Sequence, residues 1–549
     1  MKIAIGQLNP RIADFEYNFS QIIEFVKKAE KENCDLILFP ELSLCGYMPE
    51  DIIFQHDFLL QTENYIEKVK QLSNKVSILT GFVEKNTGKG KPFFNAVGFF
   101  EKGMLKGIYR KRLLPTYDVF NEKRYFEEGK DNFVFEIKGK RIGVTICEDG
   151  WNTEFSPAYG LYQLDPIEET VKQGCDIILN IAASPFYYRK VFLREKMFSN
   201  IAKKYNKPLI FVNQAGGMDG IIFDGDSCFF DRDGKIIKKA KRFDKDFVVW
   251  DTEKEKGVTS PIENDENQLI FDALVTGVRD FISKIGAERV HFGLSGGIDS
   301  ALVAVITKYA LGKENVTGIM LPSPYSSKSS IDDSVKLAEN LGINLKKIEI
   351  TPYFETLKNF LPEKIGNLKD ITEQNLQARL RGLILMAYSN NNNSILLNTG
   401  NKSELAVGYA TIYGDMCGAL AVLGDLYKTR VYSLAKWINE KLGNIIPESI
   451  ITKPPSAELK PGQKDEDSLP PYNTLDLILE NYIENCLSAQ EIVKKTGIDE
   501  NTVKYVLNLV HKSEFKRKQA APILKVTSRA FGTGFRFPVS SKIKIQGVL

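Results

Sequence analysis

Histidine is scarce in this chain: His56, His291 and His511 are the only three among 549 residues. Three scattered imidazoles exclude a histidine-built metal centre, and a core or surface role suits each. Cysteine is sparse too, seven residues with no repeated C-x-x-C spacing. That excludes a disulfide framework and a thiolate zinc site, and it suits a reducing, cytoplasmic setting. Neither charge dominates, with 73 Lys+Arg against 70 Asp+Glu and a net charge of +3. Nucleic-acid or membrane-surface binding at this size calls for a larger basic excess, so neither partner is expected. No apolar run approaches the ~20 residues that span a bilayer. Met1 leads directly into KIAIGQ, without the apolar segment and cleavage site of a signal peptide. A soluble protein is expected.

What is present is ordinary globular material, 43% apolar and 26% charged. This excludes a mainly disordered, collagenous or coiled-coil chain. At about 150 residues per domain, two to four domains are expected. The first half alternates strands and helices. Residues 2–7, 35–39, 76–83, 96–101, 141–147, 176–181, 209–213 and 247–251 read as strands, and apolar residues at 19, 22, 23, 26 and 29 fall at helical spacing. Hairpin turns are expected at 102–103, 139–140 and 233–234. The polar stretch 252–267, TEKEKGVTSPIENDEN, reads as a linker between domains 1–251 and 268–549. The second half restarts with a helix at 269–285, then strand 290–294, a Gly-rich turn and helix 301–311. Strands near 316–321, 345–350 and 394–397 alternate with helices, the pattern of a doubly wound, Rossmann-like parallel sheet. Residues 390–393 read as a loop, and 488–512 as helix-bundle packing.

Three reactive residues follow strand-like stretches: Glu41 after DLILFP, Lys111 after LKGIYR, and Cys147 closing RIGVTIC. Together they make a coherent chemistry. A thiolate attacks a carbonyl, a carboxylate carries the proton from thiol to leaving amine, and an ammonium stabilises the oxyanion. An adjacent cation also favours the thiolate. Singly, each has a plain structural reading: a small core cysteine, a solvated glutamate, a solvated lysine.

Order and context add to the spacing. FPELSLCGYMPED (39–51), YRKRLLPTYDVFNEKRYF (109–126) and CEDGW (147–151) resemble the three motif blocks of the nitrilase, or carbon–nitrogen hydrolase, superfamily. The resemblance continues through ASPFYYRK (183–190) and VNQAGGMDGIIFDGDS (212–227). It implies an αββα sandwich with Cys147 as nucleophile, Glu41 as general base and Lys111 as the oxyanion-side cation. The blocks look like those of the glutamine-hydrolysing subgroup, which places Tyr117, Ser184 and Lys190 around L-glutamine. Tyr47, Glu148 and Trp151 are expected to line that pocket, and Glu122 resembles a further motif glutamate beside the lysine. Gly150 stands where the superfamily usually has an apolar residue; little effect on the chemistry is expected.

In the second half, FGLSGGIDS (292–300) lies between a strand and a helix. It lacks the GxxxxGK[ST] of a Walker A loop. Gly296 and Gly297 allow backbone amides close to an anion, Ser295 and Ser300 add hydroxyls, and the helix N-terminus adds its dipole. Asp299 either orients Mg²⁺ or caps the helix. SGGIDS resembles the pyrophosphate loop of N-type ATP pyrophosphatases, which release AMP and pyrophosphate from ATP. NLQARLRG (375–382), LNTGNKSELAVGYATIYGDMCGAL (397–420), GDLYKTRVYSLA (424–435), PPSAELKPGQKDEDSLPPY (454–472) and FKRKQAAP (515–522) resemble blocks of the glutamine-dependent NAD⁺ synthetase family. By that resemblance Gly293, Leu294, Ser295, Gly296, Gly297, Ile298, Asp299, Ser300 and Thr399 contact ATP. Asn375, Glu404 and Lys516 contact deamido-NAD⁺, and Asp299 and Glu404 hold Mg²⁺. Arg379, Asp415, Lys428, Ser456 and Ser323 are further candidates, each with a bland alternative as a surface, turn or salt-bridge residue.

The resemblance implies ATP-dependent amidation of deamido-NAD⁺ to NAD⁺ through an adenylated carboxylate, with ammonia from L-glutamine. It also implies a homo-oligomer. The fusion of the two halves suggests protected transfer of ammonia, because NH₄⁺, the main form at neutral pH, cannot attack. An amidotransferase acting on another acceptor is the alternative.

Overall fold

The alternating opening stretch forms β1 (Lys2–Gln7), which pairs in parallel with β2 (Leu36–Leu38) and antiparallel with a strand some 240 residues later. The computed structural model describes residues 1–254 and 265–543. The chain divides into two compact units, Met1–Asn264 and Asp265–Leu549. Residues 255–264 of the expected linker lie outside the described residues.

The first unit holds two six-stranded sheets. Its further strands are β3 (Ser77–Lys85), β4 (Phe93–Glu101), β5 (Met104–Arg110), β6 (Phe133–Ile137), β7 (Lys140–Ile146), β8 (Ile177–Ala182) and β9 (Leu209–Asn213), then β10 (Ala215–Met218), β11 (Ile221–Asp224), β12 (Cys228–Phe230), β13 (Ile236–Lys239) and β14 (Asp246–Asp251). One sheet runs β14-β1-β2-β3-β4-β5 and the other β13-β12-β9-β8-β7-β6, with β10-β11 a separate hairpin. Side chains alternate across each strand. Ile3, Ile5, Leu36 and Leu38 join a core shared with residues of the second sheet. Ala4 and Ile37, on the opposite face, pack with Phe15, Ile22 and Val26 of helix Phe15–Lys31. Phe99 of β4 stacks on Phe135 of β6 at 4.0 Å between centroids, joining the sheets. This is the αββα layering expected. The hairpin between β6 and β7 turns at Lys138 and Gly139, both at positive φ, one residue earlier than the sequence suggested.

The second unit is built on β15 (Val290–Gly293), β16 (Val316–Met320), β17 (Asn344–Lys347), β18 (Ile395–Asn398) and β19 (Leu420–Ala421). All are parallel, in the order β17-β16-β15-β18-β19. The order reverses between β15 and β18, and such a switch point opens a crevice at the strands' carboxyl ends. The Gly-rich turn leaves β15 there and NTGNKSE leaves β18 there.

Two expectations are corrected in this unit. The helix after the Gly-rich turn is Ile298–Leu311, so Asp299 and Ser300 lie inside its first turn. Residues 390–392 are not a loop but the end of helix Asp370–Asn392, and Asn393 closes it in the left-handed conformation at φ 47°. Asparagine tolerates that conformation, so the polar tract is a helix terminus. Helices Tyr472–Ile483, Ala489–Thr496 and Glu500–Lys512 share a core of Leu475, Leu479, Ile492, Val503 and Leu507, as the bundle reading expected. Among the described residues no helix is long and apolar enough to cross a membrane.

Candidate functional site

In the first unit the three reactive residues sit just beyond the ends of β2, β5 and β7. Lys111 and Glu41 are fully buried. Lys111 Nζ donates to Glu41 Oε1 and to Glu122 Oε1, each at 2.7 Å. Tyr47 Oη donates to the same Glu122 oxygen at 2.7 Å. Glu41 Oε1 also accepts from Asn95 Nδ2, and its Oε2 from the Ala183 N–H, both at 2.7 Å. Asp149 fixes the geometry between strand ends. It accepts from the Leu113 N–H at 2.8 Å, from Tyr109 Oη at 2.8 Å and from the Ile146 N–H at 2.9 Å. One carboxylate thus ties the segment carrying Lys111 to the turn carrying Cys147. Cys147 is buried at φ 43°, opening the short turn Cys147–Gly150.

Burial, with the Glu41 charge adding, pushes the Cys147 thiol well above its usual range, and Lys111 and Lys190 oppose this without overcoming it. The expected cation effect on the thiol is present but outweighed, so the resting sulfur keeps its proton and attack requires a base. Burial disfavours the Lys111 ammonium, yet Glu122 and Glu41 hold it well above the ordinary lysine value. Glu122 is pushed up to about 7 by burial, against Lys111 and with Glu41.

The remaining expected residues form an adjoining group. Tyr117 Oη lies 2.9 Å from both oxygens of Glu148. Lys190 donates to the Pro185 carbonyl at 3.0 Å and sits 5.0 Å from the Trp151 ring centroid. Burial lowers Lys190 to about 8. The Ser184 N–H donates to Asn213 Oδ1 at 2.8 Å, and its buried hydroxyl has no hydrogen-bond partner among the described residues. Asn95, Asp149, Asn213 and Tyr162 were not singled out in the sequence. A polar side chain on the buried face of β4 is the signal that could have found Asn95.

In the second unit a cavity of about 320 Å³ is lined by residues of the Gly-rich turn and by Thr399, Glu404, Asp415, Lys428 and Ser456. Gly296 has φ +76°, and a Cβ there would strike the Ser330 carbonyl oxygen. Glycine is therefore required on both counts. Gly297 is the N-cap of helix Ile298–Leu311 and supplies no side chain, so among the described residues this helix start has no side-chain cap. Asp299 is not a cap: its Oδ2 accepts from Lys428 Nζ at 2.5 Å and its Oδ1 from Asn401 Nδ2 at 3.0 Å. Lys428 also reaches Glu404 Oε1 at 3.5 Å, and Asn401 N–H donates to Glu404 Oε2 at 3.3 Å. Burial, with Asp299 adding and Lys428 opposing, pushes Glu404 up to about 8.

Asn375, Lys516 and Arg379 do not line this cavity. They hold the loop beside it. Thr411 Oγ1 donates to Asn375 Oδ1 at 2.8 Å, Lys516 Nζ donates to the Gly408 and Ala410 carbonyls at 2.7 Å, and Arg379 Nε to the Ile412 carbonyl at 3.2 Å. Asp415 accepts from the Thr411 N–H at 2.5 Å, the turn role that was its alternative. Ser456 donates to the Gln463 carbonyl at 2.6 Å, and Ser323 accepts from the Tyr325 N–H at 3.3 Å.

Asp299 and Glu404 offer hard oxygen donors, the type Mg²⁺ takes with one or two carboxylates plus phosphate oxygens. No group of three or more His, Cys, Asp or Glu suited to a metal occurs among the described residues. The set therefore fits an ion that arrives with phosphates, not one caged by the protein.

Both halves of the chain match known families. Residues 2–253 match the carbon-nitrogen hydrolase family and residues 270–520 the NAD synthase family. The glutamine-dependent NAD(+) synthetase of Synechocystis sp. is 44% identical, with 99% of each chain covered. That of Thermotoga maritima is 41% identical, again over 99% of each. The solved glutamine-dependent NAD⁺ synthetase of Acinetobacter baumannii, in complex with ADP, is 36% identical over 98% of each chain, with a TM-score of 0.78. With full-length likeness at this identity, the chain belongs to the glutamine-dependent NAD⁺ synthetase family.

Proposed function

We propose that this enzyme, a ligase, amidates deamido-NAD⁺ to NAD⁺ with ammonia taken from L-glutamine, converting ATP to AMP and pyrophosphate. Residues 1–251 act as the glutaminase and 268–549 as the synthetase, joined by a linker at 252–267. One observation carries the reading. The chain combines a buried Glu41–Lys111–Cys147 cluster in one unit with an uncapped helix N-terminus beside Asp299, Lys428 and Glu404 in the other.

In the glutaminase half, Cys147 attacks the glutamine carboxamide as Glu41 takes the thiol proton. Lys111 stabilises the tetrahedral oxyanion. Glu41 then protonates the departing nitrogen, and water cleaves the glutamyl thioester to glutamate. Tyr117, Ser184, Lys190, Tyr47 and Glu148 form the glutamine pocket.

In the synthetase half, residues 293–300 and Thr399 bind ATP, and Asn375, Glu404 and Lys516 serve deamido-NAD⁺. Asp299 and Glu404 would hold Mg²⁺ together with ATP, and the ion would supply charge neutralisation of the phosphates. The nicotinate carboxylate attacks the α-phosphorus, pyrophosphate leaves, and the adenylate becomes a competent electrophile. Ammonia displaces AMP. Lys428 places a fixed positive charge where phosphate charge develops. Ammonia passes between the sites without release to bulk water. Exposed Ile371, Leu383 and Met386 on helix Asp370–Asn392 support a homo-oligomer, and the composition supports a cytoplasmic enzyme.

The test is one reaction with purified protein, Mg-ATP, deamido-NAD⁺ and amide-¹⁵N glutamine, read by mass spectrometry. Labelled NAD⁺ with AMP is expected. NAD⁺ from added ammonium but none from glutamine would sink the glutaminase assignment, and no NAD⁺ from either donor would sink the whole reading. Glutamate dehydrogenase with its co-substrates in the same tube should intercept only a minor part of the ammonia.

A further inference from the structure

Glu148 follows the candidate nucleophile in the chain and is buried. Two phenols converge on it: Tyr117 Oη at 2.9 Å from both oxygens, and Tyr162 Oη at 2.9 Å from Oε1. Tyr117 belongs to a motif block, but Tyr162 belongs to none. It lies in the stretch 152–165, which has no helix or strand of its own and leads into helix Pro166–Lys172.

A single buried side chain clasps that stretch. Asn152 Nδ2 donates to the carbonyls of Tyr162 at 3.0 Å and Leu164 at 2.6 Å, and its Oδ1 accepts from the Gly160 N–H at 3.0 Å. Tyr159 and Leu161 beside it are 65% and 62% exposed, whereas Tyr162 is half-buried with its hydroxyl on Glu148. The arrangement has an electrostatic consequence. Burial favours the neutral form of Glu148, and the hydrogen bonds from Tyr162 and Tyr117 oppose it, as do the charges of Lys111 and Lys190. Only the ionised carboxylate can pair with an ammonium group.

We propose that Tyr162, held by Asn152, is a positioning residue that aims the Glu148 carboxylate at the α-ammonium of glutamine, so that the 152–165 stretch sets selectivity for ligands bearing an α-amino group. The inference rests on reading the first unit as a glutaminase.

The test uses the full-length protein, its Tyr162→Phe and its Asn152→Ala variants. Ammonia release from L-glutamine is followed, with L-glutamate and glutarate as competing ligands. The two competitors differ only in the α-amino group. In both variants the KM for glutamine should rise about tenfold, with kcat changed by less than about twofold. Inhibition by L-glutamate should weaken about tenfold while inhibition by glutarate stays within about twofold. A merely structural role would weaken both competitors alike, and that result would overturn the proposal. So would unchanged constants in Tyr162→Phe, or a wild-type protein that does not distinguish the competitors. Wild-type protein that releases no ammonia from glutamine would instead overturn the glutaminase reading, and this inference with it. Retention of kcat for glutamine shows that the first unit of each variant is folded, and ammonium-driven NAD⁺ synthesis at the wild-type rate shows the same for the second.

Discussion

Lys190 is a cation that its surroundings barely sustain. Burial lowers it to about 8, with the Arg194 charge adding and Cys147 opposing. Below that pH it is an ammonium able to hold a substrate carboxylate; above it the amine is neutral and that attraction is lost. The kcat/KM for glutamine should therefore fall as pH rises through about 8, with ammonium-driven synthesis assayed beside it as the control. Lys190→Arg keeps its charge at any working pH and should move that alkaline limb upward by about one unit or more. A pH–rate profile of both proteins decides it. On the proposed mechanism, Asn95 acts through Glu41. Among the described residues it supplies one of three hydrogen bonds to Glu41, and its own Oδ1 is buried without a hydrogen-bond partner. Asn95→Leu removes one charge-assisted donor, so glutaminase kcat should drop about tenfold or more. Ammonium-driven synthesis should be unaffected. The motif residues were legible because their order along the chain matches a family. Asn95, Tyr162 and the Ala183 N–H were not, because each reaches its carboxylate only through tertiary register: 54 residues separate Asn95 from Glu41 and 142 separate Ala183 from it.

At the scale of elements, alternation revealed the long strands and periodicity the long helices. Short pieces were lost. β10 to β13 are three or four residues each and are defined by their partners more than by their own pattern. The start of helix Ile298–Leu311 was placed three residues late because Ile298, Asp299 and Ser300 carry no continuous apolar stripe. That small shift changes the reading of Asp299 from possible cap to a side chain paired with Lys428. Another device was invisible in the sequence. Lys402, fully buried at the start of helix Lys402–Val407, donates to Glu484 at 3.0 Å, Thr527 Oγ1 at 2.7 Å and the Arg529 carbonyl at 2.9 Å, and pairs with Asp425 at 2.9 Å. Asp425 accepts the Val526 and Thr527 N–H groups at 2.8 and 2.7 Å. The segment around residue 527 is thereby buckled to the helix that carries Glu404. Lys402→Met leaves two acidic groups without their cation, and removal of one partner from a buried pair costs about 3–5 kcal/mol. Urea unfolding should show that loss in the second unit, with glutaminase activity of the first retained at low denaturant.

The whole molecule has two units with cores of their own, and the proposed function gives each a separate chemistry. The reading therefore makes a reciprocal demand. Cys147→Ala removes the sulfur assigned to the glutamyl thioester while leaving the second unit's residues untouched. It should abolish glutamine-driven NAD⁺ synthesis and keep ammonium-driven synthesis near the wild-type rate. Gly296→Ala does the opposite. Its Cβ meets the Ser330 carbonyl oxygen, and its backbone sits at φ +76°, so the Gly-rich turn must shift. NAD⁺ formation from either donor should fall about a hundredfold or more, the scale on which a misplaced phosphate is felt in a reaction run by positioning and charge. Hydrolysis of glutamine should persist at least in part. Mixing the two variants then separates transfer from release. If ammonia reaches the adenylate only within one chain, the mixture makes little NAD⁺ from glutamine although each half-reaction is present in the tube. If the mixture restores synthesis in proportion to the ammonia set free, the two sites communicate through solvent and protected transfer is refuted.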